Sequence, residues 1–159
     1  MIFVTVGSQK FQFNRLLKEI DKLIEEKKIT EEVFAQIGYS DYLPKNYKYK
    51  SFLDRNEFAN IMSKCDKVIT HGGTGAIIGA VKCGKKVIAV PRLAKFGEHV
   101  DNHQLQIVEQ FENMNFIEYV ENEDELGKNI ININKKKFEK YKSNTFEIIN
   151  SIEEFISIL

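Results

Sequence analysis

From its first residues the chain alternates short runs of β-branched and aromatic side chains with longer stretches in which apolar residues recur every three or four positions. Ile2-Phe-Val-Thr-Val6 is closed by Gly7-Ser8, and behind it Leu16, Leu17, Ile20, Leu23 and Ile24 share one helical face, so a strand leads into a helix. Residues 33–37 and 47–52 predict two more strands, separated by a polar loop at Tyr42-Leu-Pro44. Asp54-Arg-Asn-Glu57 has the spacing of a capping box and predicts a helix through about residue 63. Residues 67–71 predict a strand, residues 74–83 a helix stopped by Gly84, and residues 86–90 a strand closed by Pro91. A helix over about 101–110, a strand over 116–120 and helices to the C-terminus complete the pattern.

Strands that alternate with helices in this way form a parallel sheet covered on both faces, an α/β Rossmann-like architecture. In such sheets ligands bind beyond the carboxyl ends of the strands, which directs attention to the loops there. A chain of 159 residues fits one domain, 1–159, with its last helix over about 136–159. Twenty-three basic and 23 acidic side chains cancel, so no bulk field recruits nucleic acid or an anionic membrane, and an anion must be caught locally. Nine Gly and two Pro are too few for a turn-rich all-β sandwich. Cys65 and Cys83 fall in segments read as helices and are expected to be reduced core residues of a cytosolic protein. The start of the chain lacks the basic and apolar regions of a secretory signal, and no apolar run reaches the ~20 residues of a membrane helix.

Two loops carry candidate chemistry. After the strand ending at Thr70 comes His71-Gly-Gly-Thr-Gly75, where a helix begins. Glycines let backbone approach a ligand, and the free amides and positive dipole end of a helix's first turn suit a diphosphate. Thr74 either caps that helix or offers its hydroxyl to the anion; the plainer alternative is a tight strand-to-helix turn. Gly7-Ser8 is either a second ligand contact or ordinary turn chemistry. His99 and His103 lie four apart around Asp101, which admits a metal reading, but the HExxH glutamate is missing. Polar contact is favoured instead: Asp101 or Asn102 caps the helix, and Gln104, His103 and Arg92 face a sugar or phosphate. Near the C-terminus Ile148, Ile149, Ile152, Phe155, Ile156 and Leu159 form an apolar stripe, read first as packing on the chain's own sheet and second as docking on a partner. Lys135, Lys136, Lys137, Lys140 and Lys142 are read as a solvated face, with contact to an anionic membrane surface as the alternative.

Val4-Thr-Val-Gly-Ser8, Phe52-Leu-Asp54, the segment from Cys65 to Gly75, Gly84-Lys-Lys-Val-Ile-Ala-Val-Pro-Arg92 and Gly97-Glu-His-Val-Asp-Asn-His-Gln104 together resemble the C-terminal, donor-binding half of family 28 glycosyltransferases. These are MurG-like enzymes of the GT-B type, and the resemblance covers residues 1 to about 120. It is closest to forms in which this half is a separate subunit: the PssE-like proteins of capsule and exopolysaccharide synthesis and the cytosolic subunit of the two-part dolichol-linked N-acetylglucosaminyltransferase. The resemblance implies one half of a GT-B glycosyltransferase. In it Gly72, Gly73, Thr74 and Gly75 would hold the diphosphate of a UDP-sugar, and the backbone at Phe52 and Leu53 would meet the uracil. His99, Asp101, Asn102, His103 and Gln104 would meet the sugar or its nearest phosphate, and Gly7, Ser8, His71 and Arg92 complete the donor-binding set. Many relatives carry an acid eight positions after the His, where this chain has Gly79, which puts ribose recognition in doubt.

The implied reaction is inverting hexosyl transfer without an obligatory cofactor or metal. An acceptor hydroxyl attacks the anomeric carbon while UDP leaves, the main-chain amides and Arg92 stabilising the diphosphate. The base is expected on a membrane-anchored, acceptor-binding (PssD-like) subunit, with His71 or His103 as candidates in this chain. That partner would hold the protein at the inner face of the cell membrane, where a lipid-linked sugar is the acceptor; the PssE-like resemblance favours β-1,4 transfer of galactose. Self-association is left open. Two other readings are a non-catalytic enhancer of such a transferase and an NAD-binding oxidoreductase module, the latter because Gly73, Gly75 and Gly79 approximate a dinucleotide fingerprint.

Overall fold

A computed structural model describes residues 1–158. Its six strands, β1 (Ile2–Thr5), β2 (Val33–Gln36), β3 (Lys48–Lys50), β4 (Lys67–His71), β5 (Lys86–Val90) and β6 (Glu118–Tyr119), form one sheet in the order β3-β2-β1-β4-β5-β6. Every neighbouring pair is parallel. The chain builds outward from β1 to β3 and then returns to lay β4 on the other side of β1. The order therefore reverses between β1 and β4, and in open sheets of this kind ligands bind beyond the carboxyl ends of the strands at that point.

Side-chain alternation along the central strands feeds two cores. Ile2 and Val4 of β1, Ile69 of β4 and Ile88 of β5 pack on Leu16, Leu17, Ile20 and Leu23 of α1 (Asn14–Glu25) and on Leu126 and Ile130 of α5 (Leu126–Asn132). Phe3, Val68, Val87 and Ala89 point to the other face, against Met62 of α2 (Arg55–Lys64), Ile77 and Ala80 of α3 (Thr74–Lys82) and Val108 of α4 (His103–Asn113). Helices thus cover both faces, as the alternation of elements predicts.

The elements depart from their expected bounds where a specific hydrogen bond intervenes. The expected strand 116–120 shrinks to β6 because the Phe116 N–H closes the end of α4 on the Phe111 carbonyl at 3.1 Å. The helix expected from residue 101 starts at His103, since the Asp101 carboxylate takes the His103 N–H at 2.9 Å. Strand β3 is short and half exposed, yet its pairing with the β2 side continues through Ile37 N–H to Lys50 O and Gly38 N–H to Ser51 O. Cys65 is buried, and burial pushes its thiol pKa up. Cys83 corrects the expectation of a core residue: it is exposed at the C-terminal cap of α3, beyond the buried positions Ala80 and Val81. Gly84, at φ +70°, stops that helix as expected.

The C-terminal stripe is the largest correction. The helix is α6 (Thr145–Ile158), residues 136–144 are not helical, and no residue of α6 is buried. Ile148, Ile149, Ile152, Phe155 and Ile156 are 46–65% exposed, so the stripe does not pack on its own sheet. Leu159 lies outside the described residues. Phe138 and Tyr141 hold the preceding segment against the two cores, while Lys135, Lys136, Lys137, Lys140 and Lys142 are exposed. No helix among the described residues is long and apolar enough to cross a membrane.

The capping box forms in full: Asp54 Oδ1 accepts the N–H groups of Asn56 at 2.8 Å and Glu57 at 2.9 Å, and Glu57 Oε2 accepts the Asp54 N–H at 3.1 Å. Replacing Asp54 by Ala leaves the first-turn donors of α2 to water and is expected to cost about 1 kcal/mol, measured by urea unfolding.

Candidate functional site

His71 is the last residue of β4, at the switch point. Its ring is 7% exposed, with Nδ1 3.3 Å from Thr70 Oγ1 and 3.5 Å from the Thr5 carbonyl. Burial, reinforced by the positive charge of Arg92, pushes the imidazole pKa down from 6.5 to about 4. The ring sits between two glycines. A Cβ built on Gly7 would lie 2.6 Å from His71 Cε1, and one on Gly73 only 2.3 Å from His71 Nε2. Gly7 also has φ +77°, which disfavours any side chain. A Cβ on Gly72 would meet Gln104 Cβ at 2.7 Å. Gly72 and Gly73 are therefore required by the protein's own packing, and neither has the positive φ that a tight strand-to-helix turn was expected to need.

Gly75 has no such reason. Nothing lies within 4 Å of the Cβ it lacks, and it is exposed in the first turn of α3. A glycine inside a helix costs up to ~1 kcal/mol relative to Ala, and no neighbour explains it. Gly73 is the N-cap residue and has no side chain to cap with; the first backbone bond of the helix runs from Ile77 N–H to Gly73 O at 3.1 Å. The N–H groups of Thr74, Gly75 and Ala76 thus belong to a free first turn, which contains no acidic residue. Thr74 is exposed and does not cap the helix. Gly79, one turn on, is likewise exposed with open space above it.

Two expected ligand contacts turn inward instead. Gln104 is buried, and its Oε1 accepts both the Gly72 N–H at 3.0 Å and the Arg92 N–H at 3.1 Å, tying the loop after β4 to the loop after β5. That bond occupies the Gly72 amide, so the available donors begin after it. Arg92 is wholly buried. Its Nη1 donates to the carbonyls of Phe11 at 3.1 Å, Gln12 at 2.9 Å and Glu98 at 3.4 Å, its Nη2 donates to the Val6 carbonyl, and the guanidinium lies over the Phe13 ring. It holds the β1 loop in shape and is not free to meet a phosphate. Burial lowers its pKa to about 10, and its Nε is left without a partner.

The loop after β5 is fixed by a pair that the sequence reading missed. Glu98, fully buried, takes Arg15 of α1 through both oxygens at 2.9 and 3.0 Å and the Leu93 N–H at 3.0 Å. Arg15 also reaches Glu123 at 2.8 Å, and although burial opposes its charge, the hydrogen bonds to Glu98 and Glu123 raise its pKa. Arg15 and Glu98 lie 83 positions apart, a separation that no local pattern discloses.

Of the remaining expected residues, Ser8, Asp101 and Asn102 are exposed on loops at this same edge of the sheet, His103 is exposed at the start of α4, and His99 is half-buried on the loop before it. Asp101 takes the His103 N–H and the His99 ring, whereas Asn102 spends its side-chain oxygen on the Ala94 N–H at 2.9 Å. Phe52, 45% exposed beyond β3, meets Tyr39 edge-on at 5.1 Å; the adjacent Leu53 N–H is held by Gln36 Oε1 at 3.1 Å. All the expected site residues therefore lie beyond the carboxyl ends of β1, β3, β4 and β5. Among the described residues no three His, Cys, Asp or Glu side chains converge as metal ligands.

This sheet order, with a helix starting at the switch point, defines a Rossmann-like domain. The chain belongs to the Glycosyltransferase family 28 C-terminal domain family, whose profile matches residues 1–157. Over 52 residues it is 42% identical to the UDP-N-acetylglucosamine transferase subunit ALG13 of Candida glabrata, a match covering 33% of this chain and 24% of that protein. In fold it is similar to the glycosyltransferase of kitacinnamycin (TM-score 0.63, 16% identity, 85% of this chain and 35% of that one). It is also similar to MurG of Acinetobacter baumannii (TM-score 0.57, 16% identity, 82% and 40%). The chain thus spans well under half the length of the proteins it matches. Family membership sets aside the oxidoreductase reading.

The state of His71 makes stability depend on pH. The native state holds the ring neutral down to about pH 4, whereas the unfolded chain takes up a proton below 6.5. The contribution is complete above pH 6.5 and is lost as pH falls towards 4, on the order of 3 kcal/mol. Urea unfolding at pH 7 and pH 4.5 should show this loss, and His71→Gln, which does not titrate, should flatten the profile in that window.

Proposed function

We propose that the loops beyond the carboxyl ends of β1, β4 and β5 bind the diphosphate of a UDP-sugar and that the chain is the donor-binding catalytic subunit of a two-component inverting hexosyltransferase. The observation that carries the reading is the exposed first turn of α3, where Gly75 sits without a packing reason among unpaired amides. Such a turn offers converging N–H donors and a positive dipole end to an anion. Gly73, Thr74 and Gly75 hold the diphosphate in this reading, with Gly7 and Ser8 on the opposite lip. Asp101 and His103 reach the sugar from the loop after β5, and Phe52 receives the uracil. Charge gathers on the diphosphate oxygens as the bond from the anomeric carbon breaks, and preorganised amides stabilise it without reorganising.

The general base belongs to the partner. His71, with a pKa near 4 and a ring wedged between glycines, is too weak a base and too enclosed to take the acceptor's proton. Support for a partner comes from α6, whose apolar stripe stands free of the sheet, and from the yeast relative, which is itself named as a subunit. In this reading α6 docks on a membrane-anchored, acceptor-binding subunit that holds the chain at the inner face of the cell membrane and presents a lipid-linked sugar. The finer assignment, β-1,4 transfer of galactose in capsule or exopolysaccharide synthesis, rests on the sequence resemblance alone.

UDP should bind the isolated chain in calorimetry. Gly75→Asp should abolish binding, because it sets a carboxylate against the anion in open space without disturbing the fold, while Gly75→Ala should fold at least as stably as the parent. Absence of UDP binding by the parent overturns the reading. Radiolabelled transfer to membrane lipid should be negligible with the purified chain and should appear on co-expression with its membrane subunit; full activity of the chain alone would remove the two-component model.

A further inference from the structure

At the amino end of the sheet, away from the donor loops, the chain forms a cleft of about 710 Å³, within the size range of small-molecule sites. One wall is the end of α3, the Gly84 turn and the start of β5; the other is the segment 134–141 that follows α5. That segment is tied down although most of it is irregular. Phe138 packs on the first core and Tyr141 on the second, where its ring lies 6.0 Å from Phe116. The Glu139 N–H donates to the Asn115 carbonyl at 2.9 Å, and Asn115 Nδ2 donates to the Lys137 carbonyl at 3.2 Å.

Seven lysines line the cleft against one acid, Glu139, in a chain whose basic and acidic side chains balance at 23 each. Lys136 is paired with Glu118. Lys85 and Lys86 are held by main-chain oxygens instead: Lys85 Nζ donates to Cys65 O at 2.7 Å and Ser63 O at 3.5 Å, and Lys86 Nζ donates to Asn134 O at 2.8 Å and Ile133 O at 3.2 Å. A carbonyl orients an ammonium without cancelling its charge, and an ammonium has three donors, so each keeps one. Lys82 Nζ lies over the Tyr141 ring at 5.2 Å. Lys135, Lys137 and Lys140 are exposed and form no ion pair among the described residues. Like charges gathered around one hollow repel, and an anion entering it relieves the repulsion. Donors on two walls suit an anion with oxygens on several sides, as a phosphate has, and lysine serves phosphate as a point charge.

We propose that this cleft is an anion site that takes a phosphate group, carried either by a soluble diphosphate or by the headgroup of an anionic phospholipid. It does not rest on the donor-binding reading, because it lies at the other end of the strands: Lys86 is the first residue of β5, whereas the donor loops follow the last residues of the strands. Lys82, Lys85 and Lys86 supply charge from one wall and Lys135, Lys137 and Lys140 from the other, while Val81, Phe116 and Tyr141 offer apolar surface to the rest of the ligand. Helix α6 begins four residues after Tyr141, so an anion bound here sits at the base of the helix whose apolar stripe is unburied.

The test uses the full chain carrying Gly75→Asp, which takes the first turn of α3 out of the measurement. Pyrophosphate is titrated in by calorimetry, and vesicles of phosphatidylcholine with and without phosphatidylglycerol are sedimented with the protein at low salt. The same chain is then given Lys135→Gln, Lys137→Gln and Lys140→Gln together. A control carries Lys18→Gln, Lys45→Gln and Lys128→Gln, exposed lysines outside the cleft whose loss changes the net charge equally. The cleft variant should lose about a hundredfold in affinity, and the control should stay within about threefold of the unsubstituted lysines. Pyrophosphate binding with that loss assigns the site to a soluble phosphate compound; binding confined to phosphatidylglycerol vesicles, with the same loss, assigns it to the lipid headgroup. The site is overturned by absence of binding to either probe, by an unchanged affinity in the cleft variant, by an equal loss in the control, or by vesicle binding alone that is indifferent to phosphatidylglycerol.

Discussion

One buried guanidinium fixes the edge of the sheet on which the site lies. Arg92, leaving β5, inserts between the β1 loop and its own loop and satisfies the carbonyls of Val6, Phe11, Gln12 and Glu98. Those carbonyls belong to irregular backbone on both sides of the switch point, and buried without donors they would destabilise any such loop. A buried charge is tolerated when hydrogen bonds replace its hydration, and here the attracting partners are peptide dipoles together with the Phe13 ring. Glu98 completes the frame, but its carboxylate is committed to Arg15. The two arginines thus divide the work: one shapes the loop after β1, and the other clamps the loop after β5 to α1.

On that frame the loops beyond the carboxyl edge of the sheet are tied directly to one another. Gln104 links the loops after β4 and β5, the His71 ring separates the loops after β1 and β4, and the first turn of α3, Ser8 and the exposed residues of the β5 loop face outward. A site preorganised in this way loses little entropy when an anion binds, because the donor groups are already in place.

The central elements could be read in advance because burial on both faces demands continuous β-branched runs, as in Lys67–His71 and Lys86–Val90, and because Asp54 and Glu57 carry their capping chemistry within four residues. The glycine-bearing loop and the histidines were visible for the same local reason. The sequence could not show which glycines serve His71 and Gln104 and which serve a ligand, since that depends on contacts across strands. Arg92 and Gln104 looked like ligand contacts because polar residues beyond a strand usually are; long-range bonds to residues up to 86 positions away drew them inside. Edge strand β6 and helix α6 were misjudged for another reason: one is cut short by a helix cap, and the other has an amphipathic pattern that does not say which surface it serves.

The wedge of His71 between Gly7 and Gly73 bears on how this segment can change over evolutionary time. The three positions behave as a single block: a methyl group at either glycine overlaps the imidazole, so a side chain can be gained there only if the ring is exchanged for something smaller. Gly75 is outside that block, and in the donor-binding reading proposed above it answers to the anion. Drift at Gly75 with the triplet intact would mark descendants that keep the architecture after abandoning the ligand.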